Sequence, residues 1–138
     1  MFGFQAAGAA PIVLDARVDD PQTIATAIQI GNPASWQSAK QALSESKGFI
    51  DKVSDAEIMA AYKLIARSEG VFVEPASAAC LAGLINCVKS NKIPPGSVIT
   101  ATMTGHGLKD PDNAIEAAGF KPIVVEPNRE AVMKVIGL

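Results

Sequence analysis

The sequence predicts an α/β fold of three layers, αβα, with a mostly parallel sheet covered by helices on both faces. Three observations predict it. Short apolar strand candidates alternate with helical segments across short loops, the pattern of a parallel sheet with crossover helices. Val71-Phe72-Val73 has no polar face, as expected for a strand covered on both sides. The stretch 76–88 after Pro75 is small and apolar on almost every side, which suits a buried helix.

The opening run Gly3-Phe4-Gln5-Ala6-Ala7-Gly8-Ala9-Ala10 reads as a tightly packed small-residue segment, and Pro11-Ile12-Val13-Leu14 as a short buried strand closed by Asp15. Residues 23–30 are weakly helical and stop at Gly31-Asn32-Pro33, a trio that forces a loop. From Pro33 to about Glu45, Trp36, Ala39 and Leu43 recur at helical spacing, so an amphipathic helix is expected, ending near Gly48. Residues 49–53 alternate as a half-buried strand. Ser54-Asp55-Ala56-Glu57 is a capping box: the serine hydroxyl takes a first-turn N–H while Glu57 reaches back. The helix it opens carries Ile58, Tyr62 and Ile65 on one face and ends at Gly70. Pro75 starts the next helix. After Pro94-Pro95-Gly96, residues 98–103 form a strand candidate with Thr104-Gly105-His106-Gly107 as the loop at its carboxyl end. Asp110-Pro111-Asp112 opens a helix through Ala118, 122–125 is an edge-strand candidate, and 130–135 a terminal helix. Residues 1–138 read as one domain, with 120–138 a tail of unassigned structure.

The composition narrows the function. With 138 residues, 49% hydrophobic, and a net charge of -2, the chain has the profile of a soluble globular domain without the basic footprint of a nucleic-acid binder. Apolar runs fall well short of the roughly 20 residues of a membrane helix. Cys80 and Cys87 form neither a CxxC pair nor a zinc knuckle, so reduced core thiols and a cytoplasmic setting are expected. His106 is the one histidine, which excludes a His-based metal site. No G-x-S-x-G elbow accompanies it, and neither phosphate-cradling glycine motif is present. Ser38-Ala39-Lys40 lies within an amphipathic helix, where Lys40 faces solvent.

In a sheet of this kind ligands gather at the carboxyl ends of strands, beside helix N-termini. Two segments meet that condition. In Val73-Glu74-Pro75-Ala76-Ser77, the polar residues either cap the helix or face a ligand. In Thr102-Met103-Thr104-Gly105-His106-Gly107, two glycines permit close backbone approach; an ordinary strand-to-loop turn is the competing reading.

Phe2-Gly3-Phe4-Gln5-Ala6-Ala7-Gly8-Ala9-Ala10-Pro11, Thr23-Ile24-Ala25-Thr26-Ala27-Ile28, Ile30-Gly31-Asn32-Pro33-Ala34-Ser35-Trp36, Glu69-Gly70-Val71-Phe72-Val73-Glu74-Pro75-Ala76-Ser77-Ala78-Ala79 and Thr102-Met103-Thr104-Gly105-His106-Gly107-Leu108-Lys109-Asp110-Pro111, in that order, resemble threonine synthase, a pyridoxal-phosphate family of the tryptophan-synthase-β-like architecture (fold type II). The likeness covers most of the chain, and the tail after Gly119 adds nothing to it. It implies a partial domain, the carboxyl-terminal part of such an enzyme. The lysine that carries the cofactor, in its Ser-Phe-Lys-Asp setting, and the glycine-rich phosphate loop lie upstream in the family and do not occur here. Met1 is then expected to be an internal position.

The resemblance implies pyridoxal phosphate as cofactor of the complete enzyme and O-phospho-L-homoserine as its substrate. It matches Thr104 to the position whose hydroxyl meets the pyridine nitrogen, with Gly105 letting the loop pass close to the ring edge. A neutral hydroxyl, unlike a carboxylate, does not force that nitrogen to be protonated, so it tunes the electron sink. Ala27 matches a segment lining one ring face and Glu74 sits near the same edge. Asn32 and His106 belong to matched blocks and receive no chemical step. The chain alone is expected to be inactive, and to form homo-oligomers or self-associate. Two other readings are a serine or threonine dehydratase of the same fold and a non-catalytic remnant acting as a binding module.

Overall fold

The computed structural model describes residues 1–119 and 123–138. Its sheet is two parallel strands, β1 (Phe2–Ala6) and β2 (Phe49–Val53), in register from Phe2 against Phe49 to Ala6 against Val53. The opening run is therefore a strand, not merely packing. Its alternation explains this: the Phe2 and Phe49 rings lie 4.3 Å apart and Phe4 meets Phe49 edge-on at 6.1 Å, while Ala6 is fully buried. Aromatic pairs of this kind stabilise strand pairing.

Gln5, pointing to the opposite face from Phe4 and Ala6, corrects the reading of the next segment. Residues Pro11–Leu14 are not a strand but a short helix, α1. Gln5 Oε1 accepts hydrogen bonds from the Ile12 N–H at 3.0 Å and the Val13 N–H at 3.1 Å, satisfying two first-turn donors that the helix itself leaves unpaired. Pro11 supplies the preset φ. The cap comes from a neighbouring strand, so local sequence does not announce it.

On the other face lies α4 (Pro75–Lys89). Gly83 meets the Phe4 ring there, where an added Cβ would sit 2.1 Å from a ring carbon. Helices thus flank both faces of a small parallel sheet, as expected. The helix α3 (Asp55–Glu69) begins at the predicted capping box, with both reciprocal bonds formed, and ends at Gly70 in the left-handed conformation, φ 68°. It packs along α4. Ile58, Ala61, Tyr62 and Ile65 of α3 join Ala78, Ala79 and Ala82 of α4 in one buried cluster; small residues on α4 let the backbones approach closely.

The remaining elements divide. The helices α2 (Trp36–Glu45), α5 (Pro111–Ala118) and α6 (Arg129–Ile136) form near their expected bounds, and Lys40 on α2 pairs with exposed Asp15. Of the weak helix at 23–30 only a 3-10 turn, Thr26–Ile28, forms. Val71-Phe72-Val73 is not a strand; it makes a single antiparallel bridge, Val73 to His106. Residues 98–103 are not a strand either; they pair with no described strand. Residues 98–102 line, with Met1, Phe2, Phe4, Cys80 and Leu84, a groove of about 600 Å³, and Val98 is fully exposed. Of the edge-strand candidate at 122–125, Pro122 lies outside the described residues and 123–125 are irregular. Among the described residues, no helix is long and apolar enough to cross a membrane.

Two outcomes are expected. Hydrogen bonds from the Ser54 backbone N–H and hydroxyl hold the Glu57 carboxyl below its ordinary value of 4.5, so the capping box stabilises fully above that pH and fades as pH falls through the lowered native value. Ser54→Ala costs about 1 kcal/mol at neutral pH, and thermal melts at about pH 3 should show a smaller difference from the parent. Gly83→Ala gains roughly 1 kcal/mol in helix propensity but overpacks Phe4, at a cost of about 1–3 kcal/mol. A net loss in urea denaturation, relieved in a Phe4→Leu background, is the expected result.

Candidate functional site

The candidate site forms where the N-terminus of α4 meets the loop after residue 103. Glu74 is the N-cap residue of α4 by position, yet its side chain makes no capping bond. The carboxylate, only 5% exposed, instead pairs with Lys109 Nζ at 3.3 and 3.2 Å. Lys109 closes a 3-10 turn, Gly107–Lys109, so a residue of the loop neutralises a buried charge on the helix. Buried carboxylates persist when paired in this way.

Gly105 fits between them. Its carbonyl accepts from the Glu74 N–H at 3.0 Å, and its N–H donates to Ser77 Oγ at 2.7 Å. A Cβ at Gly105 would lie 2.0 Å from Glu74 Oε1, so this close approach requires glycine. Gly107 is likewise pressed on the Phe72 ring, and its N–H donates to the Phe72 carbonyl at 3.1 Å. These backbone bonds replace the ladder expected of a 71–73 strand.

Thr104 is exposed, and its Oγ1 lies 3.0 Å from the hydroxyl of Ser77. Ser77 is 2% exposed. Local sequence offers Ser77 as a helix-capping residue; the structure turns its side chain to the loop instead. The signal available in the sequence is its place at the third helical position after Glu74-Pro75, whose side chain faces whatever crosses the helix start.

Ala27 is exposed on its 3-10 turn. The segment before it is held by Asp55 at the start of α3, whose carboxylate accepts from Thr23 Oγ1 at 2.5 Å and the Ile24 N–H at 2.9 Å. Asn113 joins this segment to the loop end, donating to the Ile24 carbonyl at 3.4 Å and to Asp110 Oδ2 at 2.7 Å. The placement of Ala27 relative to Thr104 runs through α4, which packs against the 3-10 turn and bonds the loop. His106 Nδ1 accepts from the Leu108 N–H at 3.1 Å, and its ring stands edge-on to Phe72 at 5.6 Å, a structural role. Cys80 and Cys87 are free, and burial pushes both thiols up, leaving them protonated and weakly nucleophilic.

The exposed Thr104 hydroxyl, backed by the buried Ser77 hydroxyl, is a polar group that this loop presents outward beside the helix start. A model of the pyridoxal-phosphate dependent enzyme family matches residues 1–105, and the chain belongs to that family. It is 53% identical over its whole length to threonine synthase of Mycobacterium tuberculosis (strain ATCC 25618 / H37Rv), covering 38% of that protein. It is 50% identical over 96% of its length to threonine synthase of Halalkalibacterium halodurans, again 38% of that protein. The chain thus spans well under half the length of these curated relatives. In fold it is similar to a fungal L-serine ammonia-lyase from Rhizomucor miehei, with TM-score 0.57, 20% identity and coverage of 86% of this chain and 40% of the other. It is also similar to a threonine deaminase from T.th., with TM-score 0.54 and 18% identity over 67% of this chain and 35% of the other. Both support the fold type II architecture. The cofactor of this family is pyridoxal phosphate; the space beside Gly105 is taken by the Glu74 carboxylate, so the exposed Thr104 hydroxyl is the group this loop presents outward.

Lys109→Met should destabilise the fold by about 2 kcal/mol, because it leaves the Glu74 carboxylate buried without its cation. Solvent around Lys109 keeps the loss below that of a fully buried pair. Adding Glu74→Gln should recover part of it in urea denaturation; equal losses in the single and double variants would show that the pair contributes nothing.

Proposed function

We propose that this chain is one segment of a threonine synthase, the enzyme converting O-phospho-L-homoserine and water into L-threonine and phosphate with pyridoxal phosphate. The observation carrying this reading is the exposed Thr104 hydroxyl, backed by buried Ser77 and the Gly105 N–H, in a chain 53% identical along its whole length to a threonine synthase. In this reading 1–138 is a single domain from the carboxyl-terminal part of the enzyme, with 120–138 its tail. The cofactor-bearing lysine and the phosphate loop belong to the part outside this chain, so the chain alone is inactive.

When bound, pyridoxal phosphate supplies an electron sink for the reacting amino acid. Thr104 would hold the ring through a hydrogen bond from its hydroxyl to the ring nitrogen. Gly105, seated against the Glu74 carboxylate, would let the loop pass close to the ring edge. Glu74, paired with Lys109, holds the helix start against the loop, and Ala27 lines one face. The enzyme is cytoplasmic in this reading, which the free thiols support, and it forms homo-oligomers or self-associates, which exposed Phe2, Val98 and Ile99 support.

The test is turnover by the complete enzyme that contains this segment. Phosphate and L-threonine released from O-phospho-L-homoserine are expected. Thr104→Ala should lower the rate about fivefold or more, the loss of one hydrogen bond, with folding retained. Release of ammonia from serine or threonine instead would assign a dehydratase, and binding without turnover of either substrate class would assign a non-catalytic module; both overturn the proposal.

A further inference from the structure

We propose that Ser77 is a positioning residue that sets the Thr104 hydroxyl as a hydrogen-bond donor toward the cofactor ring; this rests on the reading of Thr104 as the group meeting the ring nitrogen. The inference follows from proton accounting. A serine hydroxyl has one proton and two lone pairs. At Ser77 one lone pair accepts from the Gly105 N–H at 2.7 Å. The proton has two acceptors within reach, the Gly105 carbonyl at 3.2 Å and Thr104 Oγ1 at 3.0 Å. The carbonyl already accepts from the Glu74 N–H, and it is the more distant of the two. The Ser77 proton is assigned to Thr104, the nearer acceptor; in the opposite arrangement Ser77 donates to the Gly105 carbonyl and Thr104 donates to Ser77, and tighter cofactor binding in Ser77→Ala would reveal it and overturn the proposal.

Thr104 then accepts from behind and keeps its own proton for the exposed side. A hydroxyl that accepts one hydrogen bond is polarised into a better donor. The chain Gly105 N–H, Ser77 O–H, Thr104 O–H runs in one direction, from a backbone amide fixed between the helix start and the loop out to the ring. It suits an acceptor, an unprotonated pyridine nitrogen. Ser77, buried at 2% exposure, makes no contact with the ring in this scheme and works through Thr104 alone.

A double-mutant cycle on the complete enzyme tests this, reading the dissociation constant of pyridoxal phosphate and the absorption band of the bound cofactor, with circular dichroism melts to confirm folding. Thr104→Ala is expected to weaken binding about fivefold and to shift the band. Ser77→Ala alone should weaken binding about two- to fivefold and shift the band in the same direction. In the Thr104→Ala background, Ser77→Ala should then add nothing to either readout. Ser77→Cys, which preserves volume with a weaker donor, should fall between parent and Ser77→Ala, and it carries the cycle if Ser77→Ala does not fold. Full additivity of the two changes, or an unaltered cofactor in the Ser77 variants, overturns the positioning role while leaving Thr104 in place. An unaltered cofactor in Thr104→Ala overturns the reading of Thr104 itself, and the inference with it.

Discussion

The residue on which the site depends is Gly105, because its peptide groups are tied to the first turn of α4 from two directions at once. Its carbonyl accepts from the Glu74 N–H and its N–H donates to Ser77 Oγ, while its Cα rests against the Glu74 carboxylate. A helix start carries N–H groups with no partner inside the helix, and a loop carries peptide groups that no ladder pairs. Each here satisfies part of the other's need. The Lys109 ammonium adds a charge-assisted bond to the same carboxylate, so the loop is held by its backbone at one end and by an ion pair at the other.

That clasp in turn needs α4 to be placed firmly, and small residues provide the placement. Ala78, Ala79 and Ala82 pack with α3, and Gly83 lets the Phe4 ring reach the helix. Little of the core is large: Ile58 and Val53 lead its fully buried side chains. Close backbone approach replaces bulky side chains here, and packing of this sort tolerates added volume poorly. Among the described residues the sheet beneath is two strands wide. Residues 98–102 border the groove beside β1 without pairing with it, which leaves the loop's upstream side less constrained than its α4 side.

Several elements are legible in local sequence because their causes are local. The capping box at Ser54 and Glu57, the left-handed stop at Gly70 and the proline start at Pro75 each act within a turn of the residue that carries them. Local reading fails where the cause lies elsewhere in the chain. Residues 11–14 are apolar enough for a strand, but Gln5 caps them as a helix from β1. Residues 71–73 and 98–103 have strand composition, yet a strand exists only beside another with free N–H and C=O groups in register.

The site divides along the same line. Sequence by itself showed a hydroxyl at Thr104 and a missing side chain at Gly105 in a loop of the kind where ligands gather, and the family likeness matched both to the ring edge. Sequence also offered Glu74 either as a helix cap or as a residue facing a ligand. Only the tertiary structure decided that Glu74 pairs with Lys109 rather than capping its helix, and that Ser77 stands behind Thr104. These partners lie 35 and 27 residues apart along the chain. Hydrogen bonds act over about 3 Å, and at such separations only folding, not sequence order, sets that distance.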